Sequence, residues 1–364
     1  MAHKISSVRL AFALVCSTAI ATSFLTAVSS MAQQSRAEKF AKFQEIMQNR
    51  KAATSTSPDD HIVVLLQDWT DTARNRTLPV KIYQPKSAGP YPVVIFSHGL
   101  GGSRESASYF GAAMANNGYL CLALQHPGSD TSVWMDSLQK GQGDIKEGVL
   151  SDMRKAASPE NLRLRVDDVK FVLNELERLN ASAGEWHHRL DLTKIGCSGH
   201  SFGAGTTMAI AGQNYGFGGK KLTINDPRVK AVLYMSPPVN LRGRDPKVVY
   251  DSIKIPGMLM TGTEDKSPIN DNSAADRLIP FENIAAPDQY LVNFNGGDHM
   301  IFSGRNLRGE QGRDAVKDEH FHALINKLSL AFFDAYLKGD QKQKQWLKQS
   351  AAEYLGNAAE FKCK

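Results

Sequence analysis

The stretch Ile195–Gly205 reads IGCSGHSFGAG, with Gly199-His200-Ser201-Phe202-Gly203 at its centre. Glycines two residues to either side of a serine suit a hydroxyl nucleophile on a sharp turn, where larger side chains would collide. A serine hydroxyl attacks poorly without a base, and the base needs an acid to orient it and offset its charge. The pattern is too short to be specific alone. Its meaning depends on whether a carboxylate and a histidine follow it, in that order, each just beyond a strand.

Two later stretches supply them. MLMTGTEDKSP places Asp265 past the next-to-last expected strand, and YLVNFNGGDHM places His299 past the last, in a glycine-softened loop. Asp298 adjoins His299, which points the two side chains apart, while Glu264 and Asp271 are neighbours of the chosen acid. After the strand VKAVLYM, the segment MSPPVNLRGRD brings no acid nearer than Asp245, so Asp265 remains the acid. The tetrahedral oxyanion of such a reaction needs two N–H donors. Phe202, at a helix start directly after the serine, offers one, and Leu100 in the glycine-rich FSHGLGGSRES offers the other. His98, Gly99, His200 and Trp134 are candidates for the wall of a substrate cleft. His98, like His126 in LQHPGSD, reads first as a brace for its loop, and Trp134 either lines the cleft or pins the segment it lies in. His320 and His322 in DEHFH read as surface residues.

These residues need a scaffold. HIVVLLQDW and LPVKIYQP, separated by the polar TDTARNRT, predict an antiparallel hairpin. YPVVIFSHG and YLCLALQHPG are continuous apolar runs, as expected of strands buried on both faces. SASYFGAAMANNG has helical spacing and a glycine stop. NLRLRVDDVKFVLNELERLN is amphipathic, with Leu164, Val169, Val172, Leu173 and Leu176 on or near one face. KIGCSG, VKAVLYM, PGMLMTG and QYLVNF predict further strands, and a last long helix is expected from about Asp318 to Leu337. Alternating strands and helices give an α/β fold: a mainly parallel central sheet with helices on both faces and an N-terminal antiparallel hairpin. A domain over 59–364 accommodates all of it, with a polar, irregular insertion at about 129–159.

The beginning of the chain has a different character. Lys4 and Arg9 precede an apolar stretch from Leu10 to about Val28, and Ser30-Met31-Ala32 carries the small residues a signal peptidase reads. Residues 1–32 are therefore expected to be a cleaved signal peptide, which implies a secreted or periplasmic protein without a membrane span after cleavage. Residues 33–58 read as a polar helix and linker. Removing residues 1–32 takes away two of the 43 basic residues and none of the 37 acidic ones, leaving 41 − 37 = +4. No basic run with interleaved aromatics occurs, which argues against nucleic acid as a partner. Cys121, Cys197 and Cys363 remain, an odd number; the first two sit in apolar strand runs and are expected as buried thiols. Their spacing matches no zinc or iron–sulfur site.

Taken together, FSHGLGGSRE, GHSFGAGT, GTEDKSP, GGDHM and DWTDTARNRTLPVKIYQP resemble the α/β-hydrolase group of the platelet-activating factor acetylhydrolase and predicted dienelactone hydrolase type. Polyester-cleaving cutinases are more distant relatives. The resemblance runs from about Asp60 to the end of the last long helix. It implies a lipase-like serine esterase without metal or organic cofactor, with nucleophile Ser201, histidine His299 and oxyanion donors Leu100 and Phe202, acting on a small-molecule, lipid or polyester substrate. Two departures stand out: dienelactone hydrolases use a cysteine where this chain has Ser201, and the acetylhydrolase acid can follow the sixth strand, where this chain has no acid nearer than Asp245. The same three side chains could serve acyl transfer or peptide cleavage. A hydrolase fold used only for binding would commonly lack one of them.

Overall fold

The computed structural model describes residues 61–135, 145–304 and 315–364. The expected signal peptide at 1–32 and the helix and linker at 33–58 lie outside them. Residues His61–Lys364 form one compact unit.

The hairpin is β1 (Ile62–Asp71) and β2 (Arg76–Pro85), paired antiparallel from Ile62 opposite Pro85 to Asp71 opposite Arg76. Only residues 72–75 turn the chain, with Asn75 at φ 48°, so both strands run further than the apolar residues suggested. Next come β3 (Tyr91–Ser97), α1 (Ser108–Asn116), β4 (Leu120–Leu124), α2 (Ile145–Ala156), α3 (Pro159–Ala181), β5 (Leu190–His200) and α4 (Phe202–Ala211). They are followed by β6 (Val229–Met235), α5 (Pro246–Tyr250), β7 (Gly257–Glu264), α6 (Ile279–Asn283), β8 (Gln289–Asp298) and α7 (Ala315–Tyr336). The chain closes with α8 (Gln341–Gln349), α9 (Ala351–Leu355) and β9 (Ala359–Cys363).

The sheet order is β1-β2-β4-β3-β5-β6-β7-β8-β9. Pairing is parallel from β4 through β8 and antiparallel at both edges. Residues of each central strand alternate between two apolar layers. On β3, Val93 and Ile95 join the layer under α3 and α4, while Val94 and Phe96 join the one under α1 and α7. Fully burying one such side chain contributes about 1.5–3 kcal/mol, so continuous apolar runs here specify strands covered on both faces. This is the α/β-hydrolase arrangement, with the site at the C-terminal edge of the parallel strands.

Several expectations need correction. QYLVNF is not the last strand: β9 adds antiparallel to β8, from Tyr290 opposite Cys363 to Phe294 opposite Ala359. The strand KIGCSG extends from Leu190 to His200. The segment 129–159 is not irregular throughout, since it contains α2, and Asp130 forms an isolated parallel bridge with Gly102. Cys121 and Cys197 are buried free thiols, and Cys363 is an exposed one.

Candidate active site

Ser201 stands between the end of β5 and the start of α4, with φ 55° and ψ −119°. A non-glycine residue with positive φ holds local strain that its surroundings must enforce. Here Ser201 N–H donates to Met235 O at 2.8 Å, tying the turn to β6. The two flanking glycines are sterically required. A Cβ on Gly199 would lie 2.4 Å from Gly203 O, and one on Gly203 would lie 1.9 Å from Ser97 O.

The three residues proposed from sequence come together. His299 Nε2 lies 2.9 Å from Ser201 Oγ, and His299 Nδ1 lies 2.8 Å from Asp265 Oδ1. With Nδ1–H donating to the carboxylate, neutral imidazole leaves Nε2 free to accept the Ser201 hydroxyl proton. Exposure falls along the row: Ser201 is half-buried, His299 is 7% exposed and Asp265 is sealed at 0%. Burial alone would raise the Asp265 carboxyl. The His299 hydrogen bond and charge, the Arg277 guanidinium and the Ser236 hydroxyl outweigh it and bring the group down to about 2. Asp265 is therefore ionised at neutral pH.

Its neighbours were missed in the sequence. Ser236, directly after β6 and at φ 56°, donates to Asp265 Oδ2 through its hydroxyl, and its oxygen is 3.0 Å from His299 Nδ1. Thr261 Oγ1 donates to the same Oδ2 at 2.8 Å. Buried Arg277 sets Nε 3.4 Å from Asp265 Oδ1 and donates to Pro237 O at 2.8 Å. The segment after β6, which brings no acid nearer than Asp245, thus contributes a serine that hydrogen-bonds the acid of the next strand. Glu264 is exposed, and Asp298 instead caps its own turn by accepting from Met300 and Ile301 N–H.

The loop after β3 packs against the nucleophile: a Cβ on Gly99 would lie 3.3 Å from Ser201 Cβ. It is held from several sides. Gly101 N–H donates to Ser129 O and Gly102 N–H to Gly99 O, both at 3.0 Å. Trp134 Nε1–H donates to Gly101 O at 2.8 Å, so this indole pins the loop. His98 is fully buried rather than on a cleft wall; its Nδ1–H donates to Gly99 O at 2.6 Å while Nε2 accepts from His126 N–H at 3.1 Å. His200 is also buried and donates to His299 O at 2.8 Å, fixing the backbone of the histidine. Leu100 and Gly99 are half-buried in this loop, and Phe202 is the first residue of α4, where N–H groups lack intrahelical partners.

Two buried polar groups on α3 were not foreseen. Asp168 accepts from Arg76 Nε at 2.7 Å and Arg74 NH1 at 2.9 Å, and is 3.0 Å from His126 Nδ1. Arg165 donates to His98 O and Ser129 Oγ, each at 2.7 Å. His322, expected at the surface, stacks on Tyr109 at 3.8 Å between ring centroids and bonds Ile301 O, whereas His320 is exposed. Farther out, a 390 Å³ cleft is lined by Arg154 of α2 and by Pro268, Ile269, Asn270 and Asp271 beyond Asp265. Among the described residues, no group of three or more His, Cys, Asp or Glu is gathered as for a metal, and no helix is long and apolar enough to cross a membrane.

Residues 64–224 match the family model for platelet-activating factor acetylhydrolase, isoform II, a span that includes Ser201 but not Asp265 or His299. The platelet-activating factor acetylhydrolase of Cavia porcellus is 26% identical over 296 residues, covering 74% of this chain and 63% of that protein. The enzyme of the same name from Canis lupus familiaris is 26% identical over 163 residues, covering 39% and 36%. That of Gallus gallus is 28% identical over 150 residues, covering 34% and 36%. The chain thus spans less than two thirds of the length of each of these relatives. The sheet architecture is that of the α/β-hydrolase superfamily, and both comparisons show this chain to be similar to platelet-activating factor acetylhydrolases.

Proposed function

We propose that this chain is a serine hydrolase of carboxylic esters. The carrying observation is the continuous row Ser201 Oγ, His299 Nε2, His299 Nδ1, Asp265 Oδ1, with contacts of 2.9 and 2.8 Å. In this reading Ser201 Oγ attacks the ester carbonyl carbon as its proton passes to His299 Nε2. The carbonyl oxygen becomes an oxyanion held by the N–H groups of Leu100 and Phe202. His299 then gives the proton to the departing alkoxide, leaving an acyl-serine. Water, deprotonated by the same nitrogen, attacks the acyl carbon and releases the acid and free Ser201. Asp265 keeps the imidazole in the tautomer that accepts at Nε2 and stabilises the imidazolium. The word acetylhydrolase in the relatives' names points to a short acyl group.

We also infer that residues 1–32 direct export and are removed, so the active chain begins near Gln33 in a secreted or periplasmic setting. The mass of the protein recovered from its native compartment tests this, since an intact N-terminus would contradict it. For the chemistry, residues 33–364 and their Ser201→Ala variant are assayed on p-nitrophenyl esters from acetate to palmitate. Turnover is expected on the short esters and absent in the variant. A folded Ser201→Ala protein with most of the original turnover would overturn the mechanism.

A further inference from the structure

Helix α3 buries Arg165 completely, at 0% exposure, on the face it shares with Val166 and Val169. Taking a guanidinium out of water costs several kcal/mol unless the protein uses its charge and donors. Burial presses Arg165 down to about 9, so it remains a cation at neutral pH. Asp168 and Asp130 act on it only at longer range, without an ion-pair contact among the described residues. Asp168, three residues along the same helix, is occupied by Arg74, Arg76 and His126.

Its donors go elsewhere. NH1 donates to His98 O at 2.7 Å, Nε to Ser129 Oγ at 2.7 Å and NH2 to Ser129 O at 3.3 Å. The guanidinium also lies over the Phe202 ring, with Cζ 4.7 Å from its centroid. It therefore touches both segments that carry the proposed oxyanion donors. His98 O lies two residues before Leu100, and Phe202 follows the nucleophile. We infer that Arg165 is the positioning residue of the oxyanion site, one buried cation fixing the spacing of the Leu100 loop and the start of α4 and adding positive charge, only partly offset by Asp168 and Asp130, to the field where the oxyanion forms.

The inference rests on the serine-hydrolase reading, and it predicts more than a brace would. A merely structural arginine would change stability alone. A residue acting on the oxyanion changes transition-state binding more than substrate binding. Misplacing the donors and removing the charge should lower kcat by about 10- to 100-fold while KM stays within about threefold.

The test uses Arg165→Met and Arg165→Lys in residues 33–364, with folding checked by circular dichroism and turnover divided by the active sites counted in an acyl-enzyme burst. For p-nitrophenyl acetate, Arg165→Met is expected to show that kcat loss. Its inhibition constant for an alkyl trifluoromethyl ketone, whose adduct places an oxyanion in the site, should rise by the same factor as kcat/KM falls. Arg165→Lys keeps the charge without the planar fork and should recover only part of the loss. If Arg165→Met does not fold, Arg165→Lys decides: a folded Lys variant with kcat per site equal to the parent overturns the inference. So does a Met variant that loses thermal stability but neither kcat nor ketone affinity. Ser201→Ala is run alongside. Full turnover there sinks the hydrolase reading and this inference together, whereas a dead Ser201→Ala with unaffected Arg165 variants sinks this inference alone.

Discussion

Gly203→Ala probes whether the contact of α4 with the end of β3 is what places the nucleophile. The added Cβ would sit 1.9 Å from Ser97 O, 2.6 Å from Ser97 C and 2.7 Å from His98 O, all backbone atoms that no rotamer change can move. Real Cβ atoms essentially never approach heavy atoms within 3.0 Å, so the helix start must retreat by at least 3.0 − 1.9 = 1.1 Å. That moves Ser201 and Phe202 relative to the Leu100 loop and to His299, whose Nε2 contact with Ser201 is 2.9 Å. A displacement of about 1 Å in a site of this kind costs up to about 10²-fold in rate, or about 2.7 kcal/mol of barrier. Overpacking adds about 1–3 kcal/mol of lost stability. The assay is kcat on p-nitrophenyl acetate per titrated site, beside a thermal melt. Gly205→Ala is the comparison on the same helix: its Cβ would meet only the Pro238 ring, with Cγ at 3.1 Å and Cδ at 3.6 Å, a contact relieved by a few tenths of an ångström. Its kcat should stay within about threefold of the parent. A folded Gly203→Ala enzyme with parental kcat would refute the reasoning, because the spacing between α4 and β3 would then not govern the reacting geometry.

Three other perturbations follow from the buried polar groups. Asp265→Asn should lower kcat by about 10³- to 10⁴-fold, because an amide facing Nδ1 favours the wrong imidazole tautomer. Ser236→Ala removes one hydrogen bond to that carboxylate and should cost nearer tenfold (on the order of 1.4 kcal/mol); equal losses in the two variants would mean that Asp265 acts only through its packing. His126 gives a pH dependence of stability. Burial, joined by the Arg165 charge, holds it down to about 4 from an ordinary 6.5, against the pull of Asp168. Its folded value is the lower one, so between those pH values the unfolded chain binds more protons and stability rises with pH. Acidification from about 6.5 to about 4 should therefore remove on the order of 3 kcal/mol through this group. Urea unfolding at several pH values, parent against His126→Gln, reads it as the difference in slope, and parallel curves would show that His126 does not carry the effect.

Much of this was legible in the sequence because it is written in apolar runs and glycines. YPVVIF and YLCLAL can only be strands covered on both faces, and the glycines around Ser201 answer to backbone clashes that any strand–turn–helix of this shape imposes. Asp265 and His299 were found because each follows directly on a strand, which is a positional rule and needs no contact information. β9 was invisible for the opposite reason. AEFKC places Glu360 and Lys362 at the outer edge of the sheet, where charge blunts unwanted pairing and leaves a pattern like that of a polar tail.

The charged residues of α3 are harder to read, because they are polar groups whose partners are distant in sequence. Arg165 and Asp168 stand three apart on a helix, and in sequence such a pair reads as a solvated ion pair on the outer face. In the fold they lie on the inner face and do not pair with each other. Arg165 reaches across 67 positions to His98, and Asp168 across 92 to Arg76. A sequence pattern can show that a helix has an apolar stripe, but not that a charge interrupting the stripe has a carbonyl waiting for it. The cost of leaving such a charge unpaired sharpens the distinction. A helix face with two buried ionisable groups survives only if the surrounding loops supply every partner, so the loops after β3 and β4 must be as fixed as the helix itself. The first of those loops bears Leu100, and the second bears His126 and Ser129. Rigidity around the proposed oxyanion site is thus a consequence of satisfying α3, and it was hidden from the sequence by the same long-range contacts that create it.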